Sequence, residues 1–328
     1  MKAFAYVNPK NEKEAVAALL PEFEKAQPLG GGQDLLARMK DYVTQPDRVV
    51  NVKNALDGTV VAANGGLKIG AAVKMADLAE HKEVLRLYPA IAEAAIEVGT
   101  PQIRNQGTVG GNLNQRPRCW YFRNEEFVCF KKGGNTCFSP AGENQFHAIF
   151  GGGPTFIVHP SSLAVPMVAY GATFRLLGPD GERLVPAAEY FTMPTLQNVR
   201  TENVLKPNEL LTHAILPAPG AIKSGHYEVR YKTSHDWPIA FATVLLSMNG
   251  STVQSARVVM GAVAPVPWRS QPAEQALAGK TITQETAMNA AEAALRDARP
   301  LSQNAYKIHV AKTAVARAIL RAAGLETV

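Results

Sequence analysis

The sequence predicts an α+β protein of two domains, on three observations. The chain has 328 residues, more than one ordinary hydrophobic core accommodates. Its last third reads as a block of strands followed by a block of helices, the order of an α+β layer. Its first half mixes short strands, helices and glycine-rich turns. The two domains are placed at 1–190 and 200–328. A hydrophobic content of 46% with 19% charged residues fits neither disorder nor a fibrous repeat.

The first domain opens with a strand over Lys2 to Val7 and a helix over Asn11 to Phe23, with Asn11 as N-cap and an apolar face from Ala15 to Leu20. Gln27 to Leu36 follows as a triple-glycine turn feeding a short helix, with Asp34 near its start. Val49–Val52 and Leu67–Val73 read as strands, and Met75 to Val98 as helical. Gly151-Gly152-Gly153-Pro154 is a strong break, followed by a strand end at Phe156–Pro160 and an apolar helix at Leu163–Tyr170. Ala172–Leu177 and Glu182–Val185 form a hairpin about Gly178–Gly181. A Pro- and Thr-containing connection, Thr192–Asn208, leads to the second domain. There strands are expected at Leu210–Leu216, His226–Thr233, Ile239–Met248 and Ala256–Ala262. Helices are expected at 273–278, 284–298 and 303–323.

Net charge is +6, from 34 Lys and Arg against 28 Asp and Glu. The basic residues are dispersed apart from Arg116/Arg118 and Lys131/Lys132, whereas a nucleic-acid binder concentrates them along a stripe. No nucleic-acid role is expected. No apolar run approaches the roughly 20 residues that span a bilayer, so no membrane span is expected. The segment MKAFAYVNPKNEKEA lacks the apolar core of a secretory signal, so no export address of its own is expected.

Chemistry concentrates in two places. Gly30-Gly31-Gly32 and Gly110-Gly111 are turns in which successive backbone amides can converge on a phosphate, because no Cβ blocks the approach. Neither fits a Walker A loop or a Rossmann G-x-G-x-x-G. Cys119, Cys129 and Cys137 are the only cysteines of the chain. An odd, local trio flanked by Lys, Arg and Gly argues against a disulfide framework and for a thiolate-held metal centre. The scattered histidines form no H-E-x-x-H pair, and no G-x-S-x-G elbow supports a hydrolase.

Together, Gly30-Gly31-Gly32-Gln33-Asp34-Leu35-Leu36 and Arg104-Asn105-Gln106-Gly107-Thr108-Val109-Gly110-Gly111-Asn112-Leu113 resemble the two FAD-pyrophosphate loops of the flavoprotein subunit of molybdenum hydroxylases, the xanthine dehydrogenase, carbon monoxide dehydrogenase and aldehyde oxidoreductase enzymes. The resemblance covers essentially the whole chain. It implies a PCMH-type FAD-binding domain of two α/β subdomains, followed by a C-terminal α+β domain of the CO dehydrogenase flavoprotein type. It also implies FAD contacts at Leu29, Gly30, Gly31, Gly32, Gln33, Asp34, Leu35, Thr108, Gly110, Gly111 and Asn112. Ser162 stands where the family commonly has an acidic residue on FAD. Lys232 matches a lysine near the flavin, and Leu211 a flavin-contacting position.

Cys119, Cys129 and Cys137, within an insertion at about 114–150, resemble the [4Fe-4S] insertion of periplasmic-type aldehyde oxidoreductase and 4-hydroxybenzoyl-CoA reductase subunits. There four cysteines hold the cluster. Here Thr155 stands at the fourth position. This leaves a cluster with a non-cysteine or open fourth site, a three-iron cluster, an insertion without metal, or zinc held by three Cys and His147.

The resemblance implies an electron-transfer subunit with no catalytic residue for the organic substrate. A large subunit would carry the molybdenum cofactor, and a small subunit two [2Fe-2S] clusters. An external acceptor would take electrons from FAD, in the cytoplasm or, by export with a partner, in the periplasm. The alternatives are a free-standing FAD oxidase of the same fold and a non-catalytic, zinc-stabilised assembly protein.

Overall fold

The computed structural model describes residues 1–232 and 235–326. The chain builds three sheets. The first is parallel, with Arg48–Asn51 at the centre between Ala5–Val7 and Ala26–Leu29. Its middle strand buries Val49 and Val50, as a parallel strand covered on both faces requires. Pro28 sits in an edge strand, where its missing N–H removes no central ladder bond. That strand escapes the sequence reading because Pro28 and the glycines after it read as turn. The helix expected over Asn11 to Phe23 spans only Glu12–Ala18, capped by Asn11 Oδ1 accepting from the Glu14 amide at 3.0 Å. Pro21 disfavours helical backbone just before it.

The second sheet is antiparallel, in the order Val60–Ala63, Gly66–Gly70, Leu210–Leu216, Thr173–Gly178, Gly181–Pro186. The hairpin expected about Gly178–Gly181 is present, with Gly178 opposite Gly181. The sequence reading sets Leu210–Leu216 beyond the boundary at 190–200. The structure instead pairs it with Gly66–Gly70 and Thr173–Gly178 at the centre of this sheet. Strand pairing over such a separation is not written in local periodicity.

The helical stretch expected over Met75–Val98 is three helices, Met75–Glu80, Lys82–Leu87 and Pro89–Ile96. The last break falls at Tyr88, directly before Pro89, with φ −138° and ψ 55°. The strand end expected at Phe156–Pro160 is irregular backbone.

The third sheet runs Trp268–Arg269, Thr252–Gly261, Ala240–Asn249, Ile222–Val229, antiparallel throughout. The strand expected to reach Thr233 ends at Val229, and Thr233 itself lies outside the described residues. Helices Gln271–Leu277, Gln284–Leu295 and Tyr306–Ala323 follow, the last lying on the two strands before Thr252. Helix Ala164–Ala169 is buried along its whole length and touches both Ala240–Asn249 and Thr252–Gly261, joining the second sheet's core to the third sheet. This is the α+β arrangement expected. Among the described residues no helix is long and apolar enough to cross a membrane.

Candidate functional site

The turn Gly30–Asp34 leaves the carboxyl end of a parallel strand, Ala26–Leu29, the usual place for a ligand on such a sheet. It meets the second turn face to face. A Cβ on Gly31 would lie 1.9 Å from the Gln106 carbonyl oxygen, and one on Gly30 would lie 2.7 Å from Thr108 Oγ1. On the far side, a Cβ on Gly110 would lie 2.9 Å from that of Ala71, at the end of strand Gly66–Gly70. The glycines are therefore required first by the close approach of two backbones.

The two turns differ in what they offer. Gly110 N–H donates to the Ala71 carbonyl at 2.9 Å, Asn112 N–H to the Thr108 carbonyl at 2.8 Å, and Gly111 N–H to Thr108 Oγ1 at 3.1 Å. Those amides already have partners. Among the described residues none accepts from the amides of Gly31, Gly32, Gln33 or Asp34. Consecutive unpaired N–H groups at the wall of a cavity form an anion nest. A single negative group here would satisfy donors that otherwise require water.

The cavity between the turns has a volume of about 460 Å³. Of the residues that the resemblance implies as FAD contacts, Gly30, Gly31, Gly32, Gln33, Asp34, Leu35, Thr108, Gly110, Gly111, Asn112, Ser162 and Leu211 line it. Leu29 lies just outside the wall. Lys232 is exposed and also outside it. Asn112 is held by Ser161, whose Oγ–H donates to Asn112 Oδ1 at 2.6 Å. Sequence reasoning misses one wall altogether, made by Val98, Thr100 and Ile103 together with His235, Asp236 and Trp237. These residues carry no glycine or cysteine pattern, and only the folding of two distant segments brings them together.

Asp34 is the electrostatic hub of the first turn. Its carboxylate lies 3.1 Å from Arg38 Nε, 3.2 Å from an Arg118 terminal nitrogen and 2.6 Å from one of Arg123, and it accepts from the Arg116 amide at 3.1 Å. Burial pushes its pKa up, but the charges of Arg38, Arg123 and Arg118 outweigh that and bring it to about 2. Burial lowers Arg118 to about 10 against the pull of Asp34. Behind them, Glu202 is buried between Lys131 Nζ and Arg116 Nε, each 2.6 Å from one of its oxygens. Its carboxyl is held below the usual range: burial raises it, and Arg116 and Lys131 more than reverse that.

Cys119, Cys129, Cys137 and Thr155 line one small void of about 10 Å³. Thr155 Oγ1 is buried there without a hydrogen-bond partner. Cys119 Sγ is 3.3 Å from His147 Nε2, and Cys137 Sγ is 3.2 Å from Ser139 Oγ. Burial pushes the Cys119 thiol up to about 11, with the other two cysteines adding to the rise. The expected ligand residues are thus gathered from 37 positions of sequence, Thr155 included. Among the described residues, however, no group of three or more His, Cys, Asp or Glu is placed to hold a metal ion. His147 lies outside the void wall, and burial, then Lys307, lowers its pKa to about 4.

Residues 2–219 match the family model of the FAD binding domain in molybdopterin dehydrogenase, and residues 225–322 that of the CO dehydrogenase flavoprotein C-terminal domain. The aldehyde oxidoreductase FAD-binding subunit PaoB of Escherichia coli (strain K12) is 32% identical over 98% of this chain and 99% of its own length. The carbon monoxide dehydrogenase medium chain of Hydrogenophaga pseudoflava is 29% identical over 90% of this chain and 88% of its own. Among solved structures, a chain of quinoline 2-oxidoreductase from Pseudomonas putida 86 superposes with a TM-score of 0.78 at 25% identity, covering 99% of both chains.

Proposed function

From the premise that this chain belongs to the family of FAD-binding subunits of molybdenum-hydroxylase-type oxidoreductases, we propose that it carries FAD between its two glycine turns and relays electrons for partner subunits. The observation that carries the site assignment is the row of unpaired amides, Gly31 to Asp34, on the wall of a 460 Å³ cavity. Those amides would hold the diphosphate. Thr108 and Asn112 fix the opposite turn, while Ser162 and Leu211 close the cavity beside it. Bound FAD supplies a two-electron store that fills and empties in steps. The chain's own residues exclude water from it and neutralise its charge.

The partners proposed are a small subunit with two [2Fe-2S] clusters and a large subunit with the molybdenum cofactor, where the organic substrate is oxidised. An external acceptor takes the electrons. Likeness to an aldehyde oxidoreductase subunit supports an aldehyde as that substrate, ahead of a xanthine or other N-heterocycle. The complex would work in the cytoplasm, or in the periplasm by export with a partner.

The cysteine void supports membership of the subgroup with an iron–sulfur insertion. Three soft sulfur donors around one void, with an orphaned hydroxyl at the fourth position, fit a thiolate-held cluster better than a lone hard ion. Cys119, Cys129 and Cys137 would hold it, with Thr155 facing the remaining corner. Arg118, next to Cys119, lines the FAD cavity, so this centre would adjoin the flavin.

Flavin, iron and acid-labile sulfide measured on the anaerobically purified complex, with EPR after reduction, test both parts. One FAD per chain is expected, with an iron signal that a Cys129→Ser variant loses. A protein that neither contains nor takes up FAD defeats the flavin reading. Iron and signal unchanged in the variant defeat the cysteine assignment.

A further inference from the structure

Six cations, Arg38, Arg116, Arg118, Arg123, Lys131 and Arg200, lie within 4.0 Å of only three carboxylates, Glu24, Asp34 and Glu202, an excess of three positive charges beside the first glycine turn. Most of these cations are already committed. Arg38, Arg116 and Lys131 have side chains at most 10% exposed and point into the ion pairs. Arg123 also donates to the Pro117 and Arg116 carbonyls and does not line the cavity.

Arg38 and Arg116 line the cavity as well, but Arg118 differs from them in exposure: its side chain is 29% exposed, against 6% and 10% for theirs. Asp34 and the Gln115 side-chain oxygen, at 3.2 and 3.1 Å, take its two terminal nitrogens. Its guanidinium sits 4.5 Å from the centre of the Trp237 ring, which lines the same cavity. The arginine is thus fixed across the cavity between the first turn and Trp237, with donor capacity left over. A planar fork held in this way suits an oxyanion, and its ion pair with Asp34, the last residue of the nest, puts it beside the unpaired amides.

We propose that Arg118, reaching in from the cysteine insertion, is the cation that binds the diphosphate of FAD, with Asp34 acting as its positioning residue instead of a direct FAD ligand. The assignment rests on the flavin reading above and adds one contact to it. A carboxylate at Asp34 would repel a diphosphate. Ion-paired to three arginines, it presents them instead.

FAD is titrated into the deflavinated full-length chain by fluorescence quenching, at low and at high salt, and the flavin midpoint potential is measured in parallel. Arg118→Gln is expected to weaken FAD binding about 10- to 100-fold and to flatten its salt dependence, with the potential little changed. Arg118→Lys is expected to keep the salt dependence while losing part of the affinity, and it decides the matter if the Gln variant does not fold. Arg123→Gln removes the shorter Asp34 pair without touching the cavity and is expected to weaken FAD less than threefold. Equal losses in the Arg118 and Arg123 variants would overturn the proposal in favour of a purely structural ion cluster. Unchanged affinity with a lowered potential would overturn it in favour of a cation serving the reduced ring. If the wild-type chain itself binds no FAD, the flavin reading falls, and the Arg118 assignment falls with it.

Discussion

Replacing Gly31 by alanine tests the claim that the glycines serve contact between two backbones. The added Cβ would sit 1.9 Å from the Gln106 carbonyl oxygen, 2.5 Å from its carbon and 2.8 Å from Gly107 Cα. All three are backbone atoms, so no side chain can swing aside, and restoring a 3.0 Å contact requires the turns to part by about 1 Å. Overpacking of this kind costs about 1–3 kcal/mol. The first turn's amides would lose their aim by the same displacement. FAD affinity is therefore expected to fall about 10- to 100-fold, equivalent to about 1.4–2.8 kcal/mol. The assay is FAD content as isolated, followed by titration of the deflavinated chain. Gly58→Ala is the control, because nothing lies within 4 Å of a Cβ there. If Gly31→Ala binds FAD within twofold of wild type, the turn-on-turn contact is not what demands glycine.

Glu202→Gln should leave Lys131 and Arg116 buried without their shared counter-charge, at a cost of about 3 kcal/mol or more. A thermal midpoint lowered by less than about 2 °C would show the pair to be dispensable. The depressed Asp34 pKa contributes stability that is present above pH 4 and is lost as pH falls towards 2, about 2 kcal/mol for a shift from 3.8 to about 2. Denaturant midpoints at pH 5 and pH 2.5 should therefore differ more in wild type than in Asp34→Asn, and equal differences would refute the link. With its thiol near 11, Cys119 in metal-free protein should be alkylated by iodoacetamide about 500-fold more slowly at pH 8 than at pH 11, as its thiolate fraction dictates. Mass spectrometry showing rapid labelling of Cys119 at pH 8 would contradict its burial.

Much of the site is legible in sequence because glycine and cysteine are chosen for reasons that leave few alternatives. Gly31 has no room for a Cβ, and thiols are seldom grouped by accident. Gly30 to Leu35, Thr108, Gly110 to Asn112 and the three cysteines carry such marks, and all line the two pockets. Lys232 lies outside the cavity, on a bend past the strand that ends at Val229, and an exposed lysine carries no local mark of where its end lies. The roles of Asp34 and Arg118 were hidden for a related reason. Their chemistry depends on partners about 80 residues away, and charge pairing leaves no periodicity behind.

The sequence by itself determined the α+β class and the strands-then-helices order of the last third, and it marked the glycine turns and thiols as the places to look for chemistry, since these follow from residue type and short-range pattern. Only the tertiary structure decided that Leu210–Leu216 belongs to the sheet beside the cavity. It also decided that just one of the two glycine turns keeps its amides free, and that Thr155 meets the three cysteines at one void. Strand pairing, hydrogen-bond partners and packing neighbours join residues far apart in the chain, and local preferences are silent about which of those distant residues will meet.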